Sequence, residues 1–184
     1  MAYIHVQIKT NIVMLIDRDD YALLKHIGKL FPTKNSDSHF ISIRGRNKKL
    51  IGSVHRWVMR KKLKDNPLLE VDHINGNPLD NRKSNLRLCT REENCRNRRN
   101  RKDHKSSRYK GVGKSKRGGN FYACITKKGK RYHLGTFEDE RKAGLAYNMA
   151  AFLLYGDFAC YNDVGLFEEE EVEELYEEIK DRIY

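Results

Sequence analysis

An acid and an imidazole stand side by side at Asp72-His73, followed by Asn85 twelve residues after the histidine and by Asn94 nine residues further on. A neutral imidazole, with an unperturbed pKa of about 6.5, accepts a proton from water near neutral pH. The oxygens of Asp72 and Asn94 are hard ligands of the kind that suits Mg²⁺, a cation that keeps several waters and needs few protein groups. A base, a carboxylate and an amide at this spacing point to metal-assisted hydrolysis. Taken singly, each residue has a structural alternative: Asp72 as a loop cap, Asn85 as a turn residue, Asn94 as a helix surface side chain.

The elements that must position them are legible around them. Leu68 to Ile74 reads as a strand, Asn75-Gly76-Asn77-Pro78 as a turn, and Leu86 to Cys89 as a second strand. Thr90-Arg91-Glu92-Glu93 fits a capping box, with the Thr hydroxyl capping a helix and Glu93 reaching back, which puts Asn94 one turn into that helix. Strand, loop, strand and helix then let Asp72, His73 and Asn94 converge where the helix crosses the first strand. Strict alternation sends Asp72 and His73 to opposite sides of that strand, so convergence requires a bend at its end.

The phrase VDHINGNPLDNRKSNLRLCTREEN, with this D-H, N and N spacing, resembles the HNH nuclease family and its ββα-metal fold. The likeness begins at VHRWV, covers residues 54–98, and is nearest to the homing-endonuclease branch carried by phages and introns, whose last motif position is Asn. It implies that Asp72 and Asn94 hold one divalent metal, Mg²⁺ or Mn²⁺, that His73 is the general base, and that Asn85 braces the loop orienting His73. It also implies a bent strand end and hydrolysis of DNA to a 5′ phosphate and a 3′ hydroxyl. The family pattern often ends in His rather than Asn. Some relatives carry zinc-binding C-x-x-C pairs; Cys89, Cys95, Cys124 and Cys160 make none, and no structural zinc is expected. His55 in VHRWV is read as a packing residue, and Arg87 and Arg91 as facing either a phosphate or solvent.

Charge agrees with a polyanionic partner. The 184 residues carry a formal net charge of +12. Residues 1–104 hold 23 Lys and Arg against 11 Asp and Glu, residues 105–164 hold 12 against 5, and residues 165–184 hold 2 against 9. Two basic regions thus precede an acidic tail, and double-stranded DNA is the expected partner. No run is long enough to span a bilayer and the first residues do not read as a secretory signal, so the expectation is an intracellular, cytoplasmic chain without a membrane.

The expected architecture is α+β, in five parts. Residues 1–64 form a mixed α/β region, with an apolar run from Asn11 to Ile16, a helix from Asp17 to Ile27, a hairpin turning at Gly45-Arg46-Asn47, and a helix from Val54 to Leu63. Residues 65–100 hold the ββα-metal module and residues 101–106 a basic linker. In RNRRNRK, five of seven positions are basic, and Arg96, Arg98, Arg99, Arg101 and Lys102 are expected to meet phosphates or the minor groove.

Residues 107–162 read as three strands, RYKGVG, NFYACITK and KRYHLGTF, packed on a helix from Asp139 to Tyr155. The phrases YKGV, HLGTF and KAGLAYNMAAFLLYGDFACYN resemble the plant Apetala or ethylene-response-factor DNA-binding domain. A polar sheet face can enter the major groove, and Lys110, Lys114, Arg131 and His133 are the residues expected to touch DNA. The resemblance is incomplete, because Gly113, Ser115 and His133 stand at or near positions where that family places arginines and tryptophans.

Residues 163–184 read as an acidic amphipathic helix whose apolar stripe includes Leu175, Ile179 and Ile183. The whole is read as a site-specific, homing-type nickase acting as a monomer, since one base and one metal cut one strand. Two other readings are a DNA-binding regulator that keeps an inactive nuclease-like module, and an RNA binder, which the scarcity of exposed aromatics disfavours.

Overall fold

Alternating apolar residues build the opening hairpin, β1 (Tyr3–Lys9) against β2 (Ile12–Asp17), which sends Met14 and Ile16 into the core. The computed structural model describes residues 2–34, 39–96, 106–116 and 118–184. They fall into two units, Met1–Cys95 and Arg96–Tyr184, and the architecture is mixed α+β.

In the first unit, α1 (Arg18–Ile27) carries Asp19 and Asp20 in its first turn, where carboxylates favour the positive end of the helix dipole. It buries Leu24. Three antiparallel strands follow, β3 (Gly28–Lys34), β4 (His39–Gly45) and β5 (Leu50–Ser53), in the order β3-β4-β5. β1 and β3 lie outside the elements that periodicity singled out. β3 contains Pro32, paired with Ile41, and it is an edge strand, the position in a sheet that tolerates a missing N–H.

The single helix expected from Val54 to Leu63 is two, α2 (Val54–Val58) and α3 (Arg60–Asp65). Met59 between them has ψ of 8°, yet its N–H still reaches His55 O and its carbonyl accepts from Leu63 N–H. The two helices are therefore one path with a slight break.

The first strand expected around the Asp-His pair is shorter than Leu68 to Ile74: β6 spans Glu70–His73, and Leu68 is 94% exposed. It pairs with β7 (Leu86–Cys89), which leads into α4 (Arg91–Arg96). The loop between β6 and β7 leans on the N-terminal hairpin. Leu15 N–H donates to Leu79 O at 2.9 Å, Asn81 N–H to Leu15 O at 2.8 Å, and Lys83 N–H to Asp17 Oδ2 at 2.9 Å. Leu15 and Asp17 thereby hold the loop that follows the Asp-His pair.

The second unit contains β8 (Val112–Lys114), β9 (Phe121–Lys127) and β10 (Lys130–Phe137), antiparallel in the order β10-β9-β8. One side of this sheet, through Ala123, Ile125 and Leu134, packs on α5 (Glu140–Tyr155), which buries Ala143, Ala146, Tyr147, Ala150 and Leu154. Asp139 caps α5 by accepting from Arg141 N–H at 2.8 Å. α6 (Glu169–Ile183) adds Leu175, Ile179 and Ile183 to the same core.

The strand expected from RYKGVG is only Val112–Lys114, because Gly111 turns the chain at φ of 75°. A Cβ there would lie 2.0 Å from the Tyr147 ring. Among the described residues no helix is long and apolar enough to cross a membrane.

Candidate active site

The β6-β7 hairpin and α4 form a strand-loop-strand-helix unit around the Asp-His pair. Its helix starts as the sequence dictates: Glu93 N–H donates to Thr90 Oγ1 at 3.3 Å, and Thr90 N–H donates to Glu93 Oε2 at 2.8 Å. Asn94 N–H reaches Thr90 O, and its side chain turns toward β6, donating from Nδ2 to Glu70 Oε2 at 2.6 Å.

Register fixes what shares a face. Glu70 lies opposite Cys89, Asp72 opposite Arg87, and His73 opposite Leu86, with no bulge. Glu70, Asp72 and Arg87 therefore stand on one side of the hairpin, and Val71 and His73 on the other. Asp72 is buried, and its Oδ2 accepts from Arg87 Nε at 3.0 Å and Nη2 at 2.8 Å. Arg87 thus departs from both roles that the sequence suggested for it, since its guanidinium grips a buried carboxylate. Burial together with the nearby Asp72 and Glu70 carboxylates pushes the Cys89 thiol up to about 12, so it stays protonated.

His73 is the last residue of β6. Its Nε2 lies 3.4 Å from Asn81 Oδ1, and its ring meets the ring of His55 edge-on at 5.1 Å between centroids. Burial lowers its pKa, against opposing contributions from the Asn81 hydrogen bond and from Asp72 and Asp80. The ring is therefore neutral at pH 7, the state a general base requires. His55 is lowered further, to about 3, by burial first and then by His73 and Arg56. Its Nε2 is 3.2 Å from Ser53 Oγ, while its Nδ1 is buried with no hydrogen-bond partner among the described residues.

Asn85 is buried inside the loop and holds it from three directions. Its Oδ1 accepts from Asn75 N–H at 3.0 Å, and its Nδ2 donates to Asn75 Oδ1 at 3.0 Å and to Asp80 O at 2.9 Å. Its own carbonyl accepts from Ile74 N–H, next to His73. Asp80, 1% exposed, anchors the far side of the loop through Arg82 Nε at 2.8 Å and Nη2 at 2.7 Å. The Arg82 hydrogen bond, acting against burial, holds the Asp80 carboxyl below its ordinary value.

Glu70, Asn81, Asp80 and Arg87 all touch this machinery and were not singled out as site residues. Glu70 had a usable signal, since it precedes Asp72 by two positions and period two places both on one face. Asn81 and Asp80 had none beyond membership of the turn phrase, because their partners come from β2 and from the loop's own folding.

The structure brings Asp72 and Asn94 to one face through Glu70, and His73 to the other with His55. The donors on the Asp72 face are carboxylate and amide oxygens, and that chemistry fits a hard divalent cation. Among the described residues no group of three or more His, Cys, Asp or Glu is arranged to hold a metal.

In the second unit, Arg131 and His133 are exposed on the sheet face away from α5, where Arg131 pairs with Thr126 and His133 with Cys124. Lys114 departs from that grouping. It lies opposite Phe121, on the side of Ala123 and α5, with its Nζ 5.6 Å from the Phe121 ring centre. Lys110 is half-buried and its backbone is tied to Asn162, whose Oδ1 accepts the Lys110 N–H at 2.7 Å. A Cβ at Gly113 would meet the Tyr122 ring at 2.4 Å, so glycine there leaves the space that the Tyr122 side chain fills. Arg98, Arg99, Arg101 and Lys102, and the side chain of Arg96, lie outside the described residues.

Residues 53–96 match the HNH endonuclease family. Asp72, His73, Asn85 and Asn94 all fall within the matched residues. Over 94 residues the chain is 37% identical to an uncharacterized HNH endonuclease of Acanthamoeba polyphaga mimivirus. The aligned part covers 51% of this chain and 47% of that protein, so the chain matches about half the length of its curated relative. Nucleases of this family generally use a divalent metal ion.

Proposed function

We propose that the chain is a metal-dependent, site-specific DNA endonuclease that nicks one strand, leaving a 5′ phosphate and a 3′ hydroxyl. The observation that carries this reading is the HNH match over residues 53–96, within which Asp72 and Asn94 lie on one face of the hairpin and helix, His73 on the other, and Asn85 inside the loop.

His73 accepts a proton from the attacking water. In the tautomer with hydrogen on Nε2, Asn81 Oδ1 takes that hydrogen and Nδ1 is the accepting nitrogen. His55 packs against the ring and limits its rotation. Asn85 keeps the loop folded, so that the end of β6 holds its position. Asp72 and Asn94 would hold a divalent cation, Mg²⁺ or Mn²⁺, which would neutralise charge on the scissile phosphate and the leaving oxygen. One base and one cation per chain give one cut strand per binding event.

The N-terminal unit performs the hydrolysis. The second unit, with Arg131 and His133 on its exposed sheet face, selects the site on double-stranded DNA as an Apetala-type module would. A homing role, carried by a phage or intron and exerted in the cytoplasm of a host cell, is the biological setting of this reading. The chain acts as a monomer.

The Asp72-Arg87 pair favours a second reading, in which the module binds DNA without turnover. A guanidinium on Asp72 Oδ2 stands where a cation would bind. Incubation with supercoiled plasmid in Mg²⁺ or Mn²⁺ separates the two. Open circles that are absent in EDTA and can be resealed by DNA ligase support the nickase, because ligase requires a 5′ phosphate and a 3′ hydroxyl. Bound but intact plasmid carrying the gene's own flanking sequence supports the regulator.

A further inference from the structure

We infer that the groove between β5, α2 and α3 is a track for the phosphate backbone of duplex DNA leading to the His73 site; the inference rests on the nuclease reading and extends it to a surface outside the motif. The groove has a volume of about 390 Å³. Trp57 and Leu63 pack on the core of the first unit, and Arg56, Arg60 and Lys64 line the groove above them.

These three cations recur every four residues along the α2-α3 path, so they share one side of it. At a rise of about 1.5 Å per residue they span about 12 Å, a length over which duplex DNA presents several phosphate charges.

Their electrostatic state differs from that of Arg82, Lys83 and Arg87. Arg82, Lys83 and Arg87 are consumed by Asp80, Asp20 and Asp72, at 2.7, 2.7 and 2.8 Å. None of the ion pairs among the described residues involves Arg56, Arg60 or Lys64. Arg60 is also pre-positioned. Its guanidinium lies 3.8 Å from the Trp57 ring centre, and Nη1 donates to Trp57 O at 2.9 Å. A planar cation fixed in this way keeps further N–H groups directed outward for an anion.

Arg56, which lines the groove, follows His55 in α2, and the His55 ring meets that of His73, so the groove lies one residue along the helix from the candidate active site. Charge complementarity therefore names the occupant as a polyanion, and the neighbouring hydrolytic site names it as DNA.

The test is equilibrium binding of the full chain to a mixed-sequence duplex of about 30 base pairs across a salt series, in EDTA so that no strand is cut. Arg56→Gln combined with Lys64→Gln removes two exposed charges. Its slope of log K against log salt is expected to be shallower than that of wild type by about 1.8, at about 0.9 for each phosphate that is no longer neutralised. Lys25→Gln combined with Lys29→Gln removes the same charge from exposed positions elsewhere in the first unit, and is expected to leave the slope unchanged. An unchanged slope in the groove variant, or an equal fall in both variants, overturns the proposal. Because cleavage plays no part in the readout, a chain that binds in this way and never cuts would count against the nuclease reading alone.

Discussion

The ring of His55 meets the ring of His73 edge-on, with 5.1 Å between centroids and 69° between planes, so that α2 and the last residue of β6 share a buried contact. Both imidazoles are held below their ordinary pKa, chiefly by burial. A single arrangement therefore joins the end of β6 to the helix before it, keeps both rings neutral at pH 7, and makes the fold sensitive to acid.

That sensitivity has a definite sign. The folded-state pKa of His55, about 3, lies below its unfolded value, so the unfolded chain binds the proton first as pH falls. Its contribution to stability is complete above about 6.5 and is lost as pH drops from there toward about 3, at up to about 1.4 kcal/mol per pH unit. Melting temperatures measured from pH 7 to pH 4 should fall less steeply for His55→Gln than for wild type. Parallel curves would show that His55 titrates alike in the folded and unfolded chain, and that burial does not lower its pKa.

Asn85→Ala removes three side-chain hydrogen bonds, two with Asn75 and one with Asp80 O. A loss of about 2–4 kcal/mol follows from bonds of this kind in a buried loop. Urea denaturation measures it, and a loss under about 1 kcal/mol would mean that the loop holds without Asn85.

Arg87→Met leaves Asp72 buried without its guanidinium. Breaking such a pair costs about 3–5 kcal/mol. A cation bound at Asp72 replaces part of that loss, and a ligand at a hundred times its Kd stabilises by about 2.7 kcal/mol. The rise in melting temperature on adding Mg²⁺ should therefore be larger for Arg87→Met than for wild type. If Mg²⁺ moved neither protein, Asp72 would not be a metal ligand.

Gly111→Ala forces a side chain into a residue at φ of 75° and against the Tyr147 ring at 2.0 Å. Backbone strain and overpacking together cost about 4 kcal/mol. Calorimetry should register the loss in the unfolding of the second unit, and a Tm within a degree or two of wild type would mean that Tyr147 yields without cost.

Much of this was legible in the sequence wherever local chemistry decides the outcome. The capping box at Thr90 and Glu93, the strand Leu86–Cys89 and the apolar stripe of α5 rest on interactions a few residues apart or on simple periodicity. The roles of Arg87 and Asn81 were hidden because their partners come from strand pairing and loop folding, which spacing alone does not reveal. The face of Lys114 is not legible because β8 is only three residues long, and its register against Phe121, rather than its own pattern, sets its side of the sheet. The support that Leu15 and Asp17 give to the loop spans more than sixty residues of chain and leaves no local trace.

The central claim is that His73 takes the proton during strand scission. Its most direct test compares wild type with His73→Ala for nicking of a supercoiled plasmid that carries the gene's own flanking sequence, in Mg²⁺, with binding affinity measured alongside. Open circles are expected from wild type, with a loss of at least about a hundredfold in the variant and binding retained. Equal nicking by both proteins would contradict the claim and remove His73 from the chemistry.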